Sequence, residues 1–206
     1  APHFGAGALT VTDKSTRRDT LKLLVDYRLA TIREKIAIRL EFEVIRKDSR
    51  PETKNHVLSA LPAVSYLIAA GDFKVARPNS VLVVETTPEI FSDKVRALLE
   101  RRYLKGRDIC DVWYLRSVLK ASVDKAIVER KLMMYAWPFH ASRGFNYFIN
   151  TEIVDREEMK AAISQDLSRF LPPAALAVHQ AEGYASFLNQ LQLLFTELKE
   201  AQVALP

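Results

Sequence analysis

Ser92–Leu115 reads SDKVRALLERRYLKGRDICDVWYL, two apolar-periodic halves joined by a turn that ends in Lys105-Gly106-Arg107. Projected at roughly 100° per residue, Ile90, Phe91, Val95, Leu98 and Leu99 fall on one arc of the first half. Val112, Leu115 and Leu119 form the stripe of the second. The stretch therefore predicts a helix–turn–helix, with helices over 89–102 and 108–120 and with Thr87-Pro88 opening the first of them, since proline suits the first helical position.

Upstream, Leu21, Leu24, Val25, Leu29 and Ile32 recur at helical spacing after the polar stretch Asp13–Arg18, which predicts an amphipathic helix running to Glu34. IAIRLEFEVI over 36–45 alternates strictly and predicts a strand, with Ile36, Ile38, Leu40, Phe42 and Val44 on one face and Arg39, Glu41 and Glu43 on the other. Residues 46–56, broken by Pro51, read as loop, 57–70 is mixed, and Gly71 and Pro78 bracket a short segment. SVLVVE over 80–85 is continuous rather than alternating and predicts a buried strand. Downstream, helices are predicted over 124–135, 155–170 and 176–201, with the aromatic-rich stretch WPFHASRGFNYFIN over 137–150 irregular and Leu171-Pro172-Pro173 a break. The fold class is α+β, with residues 1–88 as the α/β part and 89–206 as the helical part.

With 206 residues, 49% of them hydrophobic and 27% charged, the chain has the composition of a globular protein. Cys110 is the only cysteine, which excludes an intrachain disulfide. No basic-plus-apolar leader and no long uncharged apolar run is present, so no membrane role and a cytoplasmic location are expected. The net charge of +5 favours approach to polyanions. His3, His56, His140 and His179 stand apart, without the spacing of a zinc or hydrolase motif.

Several charges fall where apolar residues belong. Lys94 lies within the arc of the first helix and needs a partner: either it reaches past the stripe to water or an acid, or its ammonium is a donor for a phosphate oxygen. Asp108 and Asp111, three apart, stack one turn over the other, so both carboxylates are expected to point inward together, with Asp108 in the apolar stripe. Asp108 can alternatively be an ordinary first-turn acid at the positive end of the helix dipole. Lys105 and Arg107 flank the turn, so the motif gathers Lys94, Lys105, Arg107, Asp108 and Asp111, either as a site or as an ion-pair cluster that locks two helices. On the predicted strand, Glu41 or Glu43 could serve as a metal or base carboxylate if that face turns inward, and is solvated otherwise.

The run Asp93-Lys94-Val95-Arg96-Ala97-Leu98-Leu99-Glu100-Arg101, followed by Lys105-Gly106-Arg107-Asp108-Ile109-Cys110-Asp111-Val112-Trp113-Tyr114-Leu115, resembles the nucleotidyltransferase-like AbiEii/AbiGii toxin family. The similarity is tight over 86–116 and loose over 18–120. Members are similar to the DNA polymerase β-like nucleotidyltransferases, so the resemblance implies a mixed sheet with helices, incomplete or diverged here, followed by an all-α region. It further implies a toxin of a bacterial toxin–antitoxin or abortive-infection system that transfers nucleotides from an NTP to an RNA, tRNA in particular, with Mg²⁺ as cofactor and a cognate antitoxin as partner. By the same resemblance Lys94 contacts nucleotide phosphate with Lys105 and Arg107 beside it, Asp108 and Asp111 are the acids of the last motif, and Glu41 is the third carboxylate and metal ligand, with Glu43 its substitute. The family's first motif, Gly-Ser followed by Asp-x-Asp, is absent from these 206 residues. The expectation is a chain without the N-terminal strands, truncated or diverged, and a non-catalytic interaction module that keeps the toxin scaffold is the alternative function.

Overall fold

The computed structural model describes residues 6–30, 35–71, 77–150 and 153–206. His3, Gly5, Ile32, Glu34 and most of the segment between Gly71 and Pro78 lie outside the described residues. Two compact units form: Ala1–Val84 with Tyr135–Trp137, and Glu85–Met134 with Pro138–Pro206.

In the first unit β1 (Gly7–Asp13), β2 (Thr20–Leu29) and β3 (Lys35–Glu43) make an antiparallel sheet in the order β1-β2-β3. The predicted strand at 36–45 is thus present as β3, but the predicted helix from Leu21 is the strand β2. The helical reading selected Leu21, Leu24, Val25 and Leu29 and passed over Leu23 and Tyr27; Leu21, Leu23, Val25, Tyr27 and Leu29 have period two. The register sets Leu21 opposite Phe42, Leu23 opposite Leu40, Val25 opposite Ile38 and Tyr27 opposite Ile36, so both strands place these apolar side chains on one face. Tertiary pairing overrides a weak helical period because β2 is the central strand, and its residues hydrogen-bond alternately to β1 and to β3.

A second pair, β4 (Thr53–Val57) and β5 (Val81–Glu85), corrects the loop reading of 53–56. Between them, Leu58–Ala60 forms a 3-10 turn and α1 (Pro62–Ala69) starts at its proline. β5 stands where the continuous apolar run predicts it, but it is not buried: Val81 is 57% and Val83 67% exposed. A covered strand needs layers on both faces, and β4–β5 is a two-stranded ribbon.

The second unit is helical: α2 (Thr87–Glu100), α3 (Gly106–Ser117), α4 (Lys125–Met134), α5 (Phe145–Ile149), α6 (Ile153–Leu167), α7 (Pro173–Ala181) and α8 (Ala185–Glu200). Phe91, Val95, Leu98 and Leu99 of α2 are buried with Ile109, Val112 and Leu115 of α3, Val128 and Leu132 of α4, Ile163 of α6 and Leu191, Leu194 and Leu198 of α8. Leu119 is half exposed because α3 ends at Ser117. The stretch read as irregular contains α5, whose Phe148 ring stacks on Phe195 of α8, with centroids 4.1 Å apart and planes 12° from parallel. The single helix predicted over 176–201 is two, broken where Gly183 and Tyr184 both take a left-handed conformation with φ of 58°. Tyr184 holds that strained geometry with its side chain buried against Phe187.

Candidate active site

The helix–turn–helix owes its geometry to a glycine. A Cβ on Gly106 would lie 2.2 Å from the carbonyl oxygen of Ala162 and 2.6 Å from Cα of Ile163, so only glycine lets the first turn of α3 rest on the backbone of α6. That contact carries Asp108 inward to 1% exposure. From α2, the Lys94 ammonium reaches Asp108 Oδ1 at 3.1 Å and Asp111 Oδ2 at 2.6 Å. Arg101, which caps α2, brings its Nε to 3.4 Å from Asp108 Oδ2, a buried oxygen that accepts no hydrogen bond.

The structure therefore assembles Lys94, Asp108 and Asp111, and completes the set with Arg101, which the sequence does not single out. Lys105 and Arg107 are not part of it. Both side chains are exposed, and Arg107 is tied in by its backbone, whose N–H donates to Asp166 Oδ2 at 3.2 Å. The two aspartates also differ: Asp108 is buried whereas the Asp111 side chain is 47% exposed. Three residues advance a helix by about 300° rather than a full turn, which takes Asp111 off the buried stripe.

Burial opposes the charge of Lys94, but the hydrogen bond it donates to Asp111 and the charges of Asp108 and Asp111 outweigh it and hold the ammonium above the ordinary lysine value of 10.5. Lys94 is thus a fixed cation, its side chain 26% exposed, with the exposed acid Asp111 as its outer partner. Such a cation can exchange a carboxylate for a phosphate oxygen without changing protonation state.

The same acids act on Cys110. Burial, reinforced by Asp111, Asp166 and Asp108, pushes its thiol up to about 12. At mildly alkaline pH the folded protein should react with a thiol-specific disulfide reagent at least a hundredfold more slowly than the urea-unfolded chain, because its thiolate fraction falls by roughly three powers of ten. Equal rates would show that the thiol is not shielded in this way.

Glu41 and Glu43 stand on β3 in the first unit. Glu41 faces Lys22 at 3.8 Å and Arg39 at 3.7 Å with its side chain 46% exposed, and Glu43 lies 4.0 Å from Arg17. Among the described residues, no group of three or more His, Cys, Asp or Glu side chains is placed to hold a metal ion. With Asp108 and Asp111 on an ammonium and Glu41 between two cations, these residues do not fit a magnesium site, and the chemistry they support is that of cationic donors.

A second ionic cluster escapes the sequence reading. Lys131 of α4 is fully buried, and its ammonium meets Glu85 Oε1 at 2.8 Å, Asp93 Oδ2 at 2.8 Å and Glu89 Oε2 at 3.2 Å. Arg130 binds the other oxygen of Glu89, and Arg96 donates to the Lys131 carbonyl at 3.3 Å while pairing with Glu100. Burial first, then the neighbouring Asp93, raises the Glu85 carboxyl above its ordinary value. The signal is in the spacing: Glu89 and Asp93 are four apart on one helix face with Glu85 just ahead, a row of acids that demands a cation. The cluster fixes α2 against α4 and so fixes Asp93, the neighbour of Lys94.

The family model described as "Nucleotidyl transferase AbiEii toxin, Type IV TA system" matches residues 4–201, and the chain belongs to this family. None of the curated proteins matches it. Among solved structures, a protein of H. pylori provisionally described as a nucleotidyltransferase is 14% identical with a TM-score of 0.49, the match covering 95% of this chain and 69% of that one. JHP933 of Helicobacter pylori is 13% identical with a TM-score of 0.47, covering 96% of this chain and 68% of the other. Among the described residues, no helix is long and apolar enough to cross a membrane.

Proposed function

We propose that this AbiEii-family chain transfers a nucleotidyl group from an NTP to an RNA acceptor, tRNA in the first place, as the toxin of a bacterial toxin–antitoxin pair whose antitoxin is its partner. The observation that supports this reading is Lys94, a permanently charged donor set between two aspartates on the helix–turn–helix that carries the family's pattern. In nucleotidyl transfer an RNA hydroxyl attacks the α-phosphorus and gives up its proton to solvent, the bond to the bridging oxygen breaks, and pyrophosphate leaves with the electron pair. Lys94 would stabilise the charge that develops on that leaving group, Asp108 would hold the ammonium in place from the buried side, and Asp111 would yield its place to phosphate. Glu41, already paired with Lys22 and Arg39, has no step in this scheme. Mg²⁺ enters only as the counter-ion of the triphosphate.

Incubation of total RNA with radiolabelled NTPs tests the reading. The wild type should label RNA, and Lys94→Ala should lower the rate by about 10²–10³-fold, the loss typical of removing one donor to a developing anion. Asp111→Ala should reduce transfer less, since it removes only the outer partner. Equal labelling by all three proteins would remove these residues from the mechanism.

The absence of Gly-Ser and Asp-x-Asp from these 206 residues favours a second reading, a non-catalytic module that keeps the toxin scaffold and binds a partner. Calorimetry separates the two: capture of the antitoxin without binding of Mg-NTP selects the second.

A further inference from the structure

We propose that the turn between α2 and α3, with Arg102, Tyr103, Lys105 and Arg107, is the docking surface for a single-stranded RNA segment. This identifies how the acceptor of the proposed transfer is held, and rests on that reading for the source of the RNA. The segment Arg101–Arg107 carries four cations and no acid. Arg101 is spent on Asp108, but Arg102, Lys105 and Arg107 are exposed and their side chains make no ion pair among the described residues. The neighbouring acids are already engaged: Asp108 and Asp111 by Lys94, Asp166 by the Arg107 amide, and Glu158 by Arg143 and the Tyr147 hydroxyl. Three cations close together in the chain whose side chains make no ion pair among the described residues fit a polyanion.

The aromatic residue selects among polyanions. Tyr103 is 66% exposed, and the Arg102 guanidinium lies 5.2 Å from its ring centroid, so the turn presents a ring and a guanidinium plane together. Bases of a single strand stack on such a pair, whereas bases of a duplex are already stacked on one another. The turn is also preorganised. Arg143, itself 3.2 Å from Glu158, donates to the carbonyls of Arg101 at 2.5 Å and Arg102 at 3.0 Å, and Ser142 donates to that of Glu100 at 2.8 Å. With its carbonyls turned to Arg143, the turn keeps its side chains for a ligand at little ordering cost.

Fluorescence anisotropy on the full chain tests this, with a short fluorescein-labelled single-stranded RNA of mixed sequence and the same sequence as a duplex. The wild type should prefer the single strand. Tyr103→Ala should weaken binding about tenfold while Tyr103→Phe retains it, as expected for one stacked base. The triple variant Arg102→Gln, Lys105→Gln, Arg107→Gln should flatten the slope of log affinity against log salt by about 2, from roughly 0.7 per lost phosphate contact. No binding by the wild type, equal binding of duplex, or unchanged affinity and slope in these variants would overturn the proposal. Two further outcomes separate it from the transfer reading. Transfer lost in Lys94→Ala while the turn variants bind RNA normally defeats the docking surface alone; binding that responds as described, without labelling by any protein, defeats the transfer and leaves the surface standing.

Discussion

Gly106→Ala should cost about 3 kcal/mol of stability, at the upper end of what one extra methyl costs in a packed interior. The added carbon would meet backbone, the Ala162 carbonyl oxygen at 2.2 Å, and not the end of a flexible side chain. Neither helix can yield locally, so α3 must shift as a body against α6, and Asp108 must move away from Lys94 and Arg101 with it. A urea titration followed by circular dichroism should show a lower midpoint with an unchanged slope. A midpoint within the equivalent of 0.5 kcal/mol of wild type, about the spread of ordinary surface substitutions, would show that the contact relaxes without cost. Because the displaced residue is a site residue, the NTP-transfer rate should fall even at temperatures where the variant remains folded.

Lys131→Met removes the one cation that three carboxylates share, leaving Glu85, Glu89 and Asp93 around an apolar side chain. Breaking a buried ion pair by deleting one partner typically costs about 3–5 kcal/mol, because the remaining charge stays buried and uncompensated. Arg130 still binds Glu89, so the loss should lie at the lower end of that range. Its pH dependence identifies the cause. The Glu85 carboxyl is already raised above 4.5 in the wild type, by burial and by Asp93, with Lys131 opposing the rise. Without Lys131 the carboxyl rises further, so the native state binds more protons than the unfolded one at any pH between the two values. Stability then falls as pH rises through that window from 4.5 upward, and returns as pH falls back through it. The deficit relative to wild type should therefore shrink on acidification, and Asp93→Asn added to Lys131→Met should restore part of it at neutral pH. A deficit independent of pH would assign the loss to packing instead.

Legibility differs sharply between the two units. In the helical one, the apolar spacing of Phe91, Val95, Leu98 and Leu99 suffices to place α2, since a stripe of that period can be buried only by a helix against other helices. In the first unit, β3 is legible from its alternation, but β2 carries both periods at once. Leu24 extends a helical pattern, Leu23 and Tyr27 a strand pattern, and only the pairing with β1 and β3 selects the second.

The site divides in the same way. By itself the sequence determined the helix–turn–helix, the anomaly of Lys94 and Asp108 on apolar faces, and the resemblance to the AbiEii family, because each depends on residues close together in the chain. Only the tertiary structure decided that Arg101 rather than Lys105 or Arg107 completes the cluster, that Asp111 stays half in solvent, that Gly106 lies against α6, and that Lys131 gathers Glu89 and Asp93 of α2 together with Glu85 at the end of β5. The reason is geometric. Periodicity assigns a side chain to a face, whereas its partner comes from another element, whose approach is set by backbone contacts such as Gly106 on Ala162 and not by any local pattern.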